Sequence, residues 1–285
     1  MSRLASVSLV LWALLPAADA VAQAPGPLVL PGAMPPAAQT PPRAPRPDTA
    51  RPPRTGEAAP VGASAAATGP LPTAVAGQKH FLAGNPAADN GELIIVEHAP
   101  GFAGLRLRAT GRVISAPADH CVIELGGDEP VPLAPIEEPY RKSRYRLQSP
   151  VCPLVVEVLE HSVRVSIPDG DCSFVQADCR LAPEGLWGPP GEEAAGRAAA
   201  IERQRGRAER DMRDISQKLL RRLSGDAQRE AAAEQAAFSS ERTMVCRNYA
   251  GEDEHGFCAA ELTSGRVESL KRRYDQTPPR PSTNR

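Results

Sequence analysis

The sequence predicts an α+β protein with a disordered N-terminal leader, a small disulfide-bonded antiparallel β domain and a C-terminal three-helix domain. Three features of its 285 residues predict this. Short runs rich in Val, Ile and Leu recur between turn signals over residues 89–190, as in small all-β domains. Apolar residues then return at alternating spacings of four and three within 191–275, the period of an amphipathic helix. Ahead of both, residues 23–88 are dominated by Pro, Ala, Gly and Thr, with too little apolar surface to offset the entropy of ordering.

At the start, Arg3, an apolar run over 7–15 and then Pro16-Ala17-Ala18-Asp19-Ala20 give the order of a secretory signal peptide. Residues 1–22 are assigned to it, with cleavage after Ala20 or Ala22. Its apolar core is too short to span a bilayer, and no later stretch approaches the roughly twenty apolar residues needed. No cysteine precedes Cys121, so no lipid acceptor is expected at the cleavage site and no membrane anchor after it. A periplasmic or secreted protein is expected. The linker behind the signal, densest from Ala24 to about Gly77, would reach on the order of 100 Å if polyproline-like.

Strands are expected near 92–96, 104–114, 121–125, 144–147, 154–159 and 163–167, punctuated by Asn90-Gly91, Gly126-Gly127 and Pro168-Asp169-Gly170. Val163, Val165 and Ile167 alternate with Arg164 and Ser166, so one face is buried and the other wet. Glu160-His161 reads as a hairpin turn, and a small sandwich or open barrel is the expected architecture. Trp187 is expected to seal the domain against the helix that follows.

Six cysteines, an even number, suit an oxidising compartment and three disulfides. Cys246 and Cys258 pair within the helical part. Cys121, Cys152, Cys172 and Cys179 can pair in three ways, of which Cys121 with Cys152 and Cys172 with Cys179 is preferred. The tight cysteine knuckles of structural zinc sites are absent, so no metal or other cofactor is expected.

The first helix carries Ala208, Met212, Ile215, Leu219 and Leu223 as one stripe. Ser224-Gly225-Asp226 ends it and caps the second, which runs to about Arg247, and the third spans Gly256 to Tyr274, in an up-down-up arrangement. Residues 276–285 form a disordered, proline-rich tail. Phe238, Arg242 and Cys246 share one helix face; Cys258, Leu262, Arg266 and Leu270 share another. A Cys246–Cys258 bridge would therefore staple two facing helices beside their connection, 248–256.

Net charge is −1, with 10 basic and 15 acidic residues over 79–190 and 18 basic and 16 acidic residues from 191 onward. The helical part is mixed rather than basic, which argues against nucleic-acid binding. His80, His98, His120, His161 and His255 are scattered, and neither a nucleophile motif nor a Gly-rich phosphate loop occurs, so no enzymatic activity is expected. Glu252, Asp253, Glu254 and His255 crowd the connection between Cys246 and Cys258.

The pattern Gln235, Phe238, Arg242, Cys246, Cys258, Leu262-Thr263, Arg266, Leu270 resembles the lysozyme-inhibitor family of the LprI type, over about residues 200–274. This chain has Phe238 where the family carries Trp and Glu241 where an aromatic is usual, and it lacks a further cysteine pair between Cys179 and Cys246. The resemblance implies a binding module that blocks a muramidase by stoichiometric surface contact, with Arg242 and Arg266 bonding across the hairpin. Lysozymes are often basic, so Glu252, Asp253, Glu254 and His255 are the candidate partner contact. The partner is then a lysozyme or another envelope protein; the alternative is a structural or scaffolding envelope protein with no lysozyme-directed activity.

Overall fold

In the computed structural model, strands come in the order β1 (Lys79–Leu82), β2 (Glu92–Ala99), β3 (Phe102–Val113), β4 (His120–Leu125), β5 (Val131–Pro135) and β6 (Arg144–Leu147). They continue as β7 (Val155–Val158), β8 (Val163–Ser166), β9 (Cys172–Phe174), β10 (Cys179–Leu181) and β11 (Gly185–Gly188). The structure describes residues 71–87, 91–99, 102–141 and 143–279, which belong to one compact unit. The expected signal peptide, most of the linker and the last residues of the tail lie outside the described residues.

Antiparallel pairings run β2-β1-β11-β8-β7-β6-β5-β3, and β3 pairs back onto β2 from Glu92↔Arg108 to Ala99↔Phe102. The sheet therefore closes into an eight-stranded barrel, a correction to the expected sandwich or open barrel. Inward positions alternate along the strands: Leu93 and Ile95, Leu105 and Leu107, Val156 and Val158, Val163 and Val165. Tyr145, Leu147 and Trp187 fill the remaining interior. Trp187 is fully buried there, its Nε1 donating to Pro183 O at 2.8 Å. Its expected sealing role falls to Leu186, which points the other way into the helical core.

The fold starts earlier than the expected linker boundary at 88. Val75 is buried against the barrel core, Gly77 N donates to Ile95 O at 2.8 Å, and β1 sits between β2 and β11 in the ring. Four residues suffice for β1 because both neighbours supply its ladder partners.

Beyond the β2 pairing, the C-terminal stretch of β3 is flanked by β4 on one side and the β9–β10 hairpin on the other. This placement fixes the disulfides as Cys121–Cys179 and Cys152–Cys172, which overturns the preferred pairing. Cys121 stands opposite Gly111 and Cys179 opposite Val113 on the same strand, and their Cα atoms lie 5.8 Å apart, closer than two strand spacings of a flat sheet, so the sheet curls here. Cys152 lies in the β6–β7 connection beside the start of β9, where Ser173 N donates to Val151 O at 2.9 Å. The hairpin is thus tied through β9 to the barrel and through β10 to β4. A Cβ on Gly111 would stand 2.2 Å from Arg180 O, so only glycine lets β10 lie this close.

The helical part has five helices rather than three: α1 (Gly191–Ala195), α2 (Ala198–Arg222), α3 (Gly225–Cys246), α4 (Glu252–His255) and α5 (Phe257–Gln276). The three long ones match the expected segments, and α2 begins about ten residues before its expected stripe. Helix α2 buries Ile201, Ala208, Met212 and Leu219. Helix α3 buries only Ala231, Phe238 and Cys246, a narrow line that suits its alanine-rich edge position. Helix α5 buries nine residues between Phe257 and Leu270, because α2, α3 and the outside of the barrel surround it. Its sequence can be buried on so many sides because Glu261, Thr263 and Arg266 each make side-chain hydrogen bonds there, as described next.

Candidate functional site

Helix α5 carries most of the family-like motif, and packing explains each position. Arg242 Nη1 donates to Thr263 Oγ1 at 2.8 Å and lies 3.8 Å from Glu209 of α2. The Thr263 hydroxyl in turn donates to Ala259 O at 2.6 Å. Arg266 Nε donates to Gln235 Oε1 at 3.3 Å. The guanidinium carbons of Arg242 and Arg266 lie 5.9 and 5.7 Å from the centre of the Phe238 ring. Leu262 and Leu270 are buried in the same cluster. The motif residues Gln235, Phe238, Arg242, Leu262, Thr263, Arg266 and Leu270 therefore meet at the α3–α5 contact, where they hold helices together. Glu241, at the position of the usual aromatic, pairs instead with Arg164 of β8 and joins α3 to the barrel.

The connection between α3 and α5 is a docked, cross-linked turn. Cys246 and Cys258 bridge its two ends. Tyr249 inserts into a notch where Gly84 and Gly188 lack side chains; a Cβ on Gly188 would stand 2.4 Å from its hydroxyl. That hydroxyl donates to Pro189 O at 2.8 Å, and burial holds the phenol far above its ordinary pKa. Ala250 N donates to Ala83 O at 2.8 Å on the β1 side.

Within the turn, the four candidate contact residues divide into two pairs. His255 is buried: its Nδ1 accepts from Phe257 N at 3.1 Å, so Nε2 carries the proton and donates to Ala250 O at 2.8 Å. Glu252 accepts from Cys258 N and Ala259 N, each at 2.9 Å, and so caps α5. Burial raises the Glu252 pKa, against the lowering effect of those two N–H groups. Only Asp253 and Glu254 are exposed. His255 and Glu252 are thus corrected from contact residues to supports, because the short helix α4 turns them inward. Helix α1 packs against α4 and adds exposed Glu192 and Glu193, the latter 3.9 Å from Arg197. The corner thus exposes the carboxylates of Asp253, Glu254, Glu192 and Glu193, with Arg197, Arg205 and Arg247 around them.

Sequence reasoning missed Glu261, the most buried carboxylate of the helical part. It is 1 % exposed and accepts from His161 N at 2.8 Å, Ser162 Oγ at 3.0 Å and His161 Nδ1 at 3.1 Å. The expected Glu160-His161 hairpin turn between β7 and β8 is thereby anchored on α5. The hydrogen bond to Glu261 raises the His161 pKa, burial opposing it. Serine and histidine both address the carboxylate rather than each other, which is an anchoring and not a nucleophile–base geometry. Glu160, His161 and Glu261 also place one ligand atom each within 4.8 Å of one another, but both Glu261 oxygens are already engaged by these donors. A lone charged residue one turn after Cys258, on the inward face shared with Leu262, was the signal available in the sequence.

Among the described side chains, His80 and His120 do not join a cluster. His80 lies in the barrel, its Nε2 3.5 Å from Val75 O and its pKa lowered by burial, and His120 is exposed at the start of β4. The structure describes the backbone of His98 in β2.

Three disulfides, with no described helix long and apolar enough to cross a membrane, fit an extracellular or periplasmic protein. Comparison with known proteins finds no matching family model, no matching curated protein and no matching solved structure.

Proposed function

We propose that this is an exported binding protein of the lysozyme-inhibitor LprI kind, which blocks a basic muramidase by stoichiometric surface contact and performs no chemistry of its own. The observation that carries the proposal is the disulfide-closed turn, whose buried side keeps Glu252 and His255 occupied while Asp253 and Glu254 face solvent. A turn ordered before binding loses little entropy on contact, and its negative charge speeds encounter with a basic enzyme. Beyond the cysteines, the residues that carry the family resemblance join the two helices that the turn connects. The contact itself is assigned to Asp253 and Glu254, with Glu192 beside them.

The test is a titration of lysozyme-catalysed lysis of bacterial walls with the mature protein. Inhibition should saturate near equimolar ratio and weaken as salt rises. The double reversal Asp253→Lys, Glu254→Lys should weaken it at least about tenfold, because like charges then meet at the contact. Undiminished lysis at excess protein would instead favour the scaffolding alternative, which draws support from the barrel being a filled, rigid body. In that case the corner would serve as a docking face for another envelope protein.

A further inference from the structure

We propose that the cavity between the β5–β6 loop and helices α3 and α5 binds the carboxylate of a small organic acid. It has a volume of about 580 Å³ and is lined by Arg141, Arg144, Arg266 and Arg273. Against these four cations the lining carries three carboxylates, those of Glu138, Glu230 and Glu234. Glu138 pairs with Arg144, while Glu234 is divided between Arg273 Nη1 at 2.8 Å and Arg266 Nη2 at 3.6 Å. Among the lining residues one positive charge is therefore in surplus, with Arg141 also 3.9 Å from Glu157, which lies outside the lining and is shared with Arg164.

Two guanidinium nitrogens lining the cavity are buried without a hydrogen bond of normal length, Arg144 Nε and Arg266 Nη2, the latter reached by Glu234 only as a 3.6 Å ion pair. The Arg266 side chain is 8 % exposed, so water does not readily serve it. A buried donor left unpaired is costly, and more so on a charged group. Burial accordingly lowers the Arg266 pKa, with Glu234 opposing it.

An entering anion would pair with these donors and absorb the surplus charge. The planar guanidinium fork matches a carboxylate. A surplus of one suits a monoanion better than a phosphate dianion, whose second charge would meet the three glutamates. Half-exposed Tyr140, whose ring lies 5.5 Å from the Arg273 guanidinium carbon, offers a face for the body of the acid. The loop that carries it is already held, since Gln276 Nε2 donates to Pro139 O at 3.0 Å and Arg272 Nη1 to Tyr140 O at 3.5 Å. The site is separate from the acidic turn, and its occupation does not depend on the muramidase proposal.

Isothermal titration of the mature protein with sodium benzoate, and in parallel with acetate and inorganic phosphate, tests this. Benzoate should bind saturably at one site and more tightly than phosphate. Arg273→Gln should weaken benzoate about tenfold, the effect of one charge-assisted hydrogen bond. Glu230→Gln removes an exposed carboxylate of the lining, leaves the fold intact and should tighten benzoate about threefold. The second variant decides the matter should the first fail to fold. Absence of saturable benzoate binding up to on the order of 10 mM, a range already weaker than useful recognition, would overturn the proposal. Tighter binding of phosphate, or benzoate affinity unmoved by Glu230→Gln, would overturn it equally.

Discussion

Replacing Glu261 with alanine should unfasten the barrel from the helical layer. Its carboxylate takes three donors, and one of them, the fully buried Ser162 Oγ, has no water to turn to. Hydrogen bonds to a charged group contribute roughly 1.5–3 kcal/mol each. Because the three share one charge they do not add, so the loss should be about 3–5 kcal/mol, the range for breaking a buried charged pair. Urea unfolding followed by Trp187 fluorescence measures it, since the other tryptophan, Trp12, lies in the segment read as a signal peptide. The same contact predicts a pH dependence. His161 has a folded pKa raised above 6.5, chiefly by its hydrogen bond to Glu261, so the native state holds a proton that the unfolded chain releases. That contribution is complete below pH 6.5 and is lost as pH rises through the folded value, so wild-type stability should fall across this window. Glu261→Gln keeps the shape and removes the charge, and should flatten the decline. A loss under about 1 kcal/mol for Glu261→Ala, below the cost of even one orphaned buried donor, or an unchanged slope in Glu261→Gln, would refute this reasoning.

Further expectations follow from other contacts. Cys246→Ser with Cys258→Ser opens a loop with a sequence separation of 12 and should cost about 3 kcal/mol on the chain-entropy scale, measurable as a shift of the urea midpoint. Glu252→Ala removes two acceptors from the start of α5 and should cost about 1–2 kcal/mol by the same assay, whereas Asp253→Ala should stay within about 0.5 kcal/mol. Gly111→Ala would place a Cβ against the Arg180 carbonyl and should lower the thermal midpoint by the equivalent of about 1–3 kcal/mol.

Much of the fold was legible in residue patterns, and the missed parts have physical reasons. Val163 and Val165 announce β8 by alternation, and the Ala208-to-Leu219 stripe announces α2, because each element buries one face. By contrast β1 is four residues behind a Pro- and Gly-rich leader, β5 contains Pro132 and Pro135, and β11 is bounded by glycines. Each reads as a turn or a boundary, and each is held by its neighbours in the closed ring rather than by its own propensity. Sequence spacing could not choose between Cys172–Cys179 and Cys121–Cys179, since the choice is made by β4 and β10 flanking one stretch of β3. The acidic turn was visible as a cluster, but the short helix that turns Glu252 and His255 inward was not. Glu261 and the arginine-lined cavity needed the packing of α5 on the barrel, which no local pattern encodes.

Peptide mapping of the non-reduced mature protein tests the closed barrel and its stapled helical corner most directly. Bridges 121–179, 152–172 and 246–258 are expected, with no free thiol. A 172–179 bridge would contradict the β9–β10 placement, and free thiols at 246 and 258 would remove the pre-organised turn on which the proposed binding role stands.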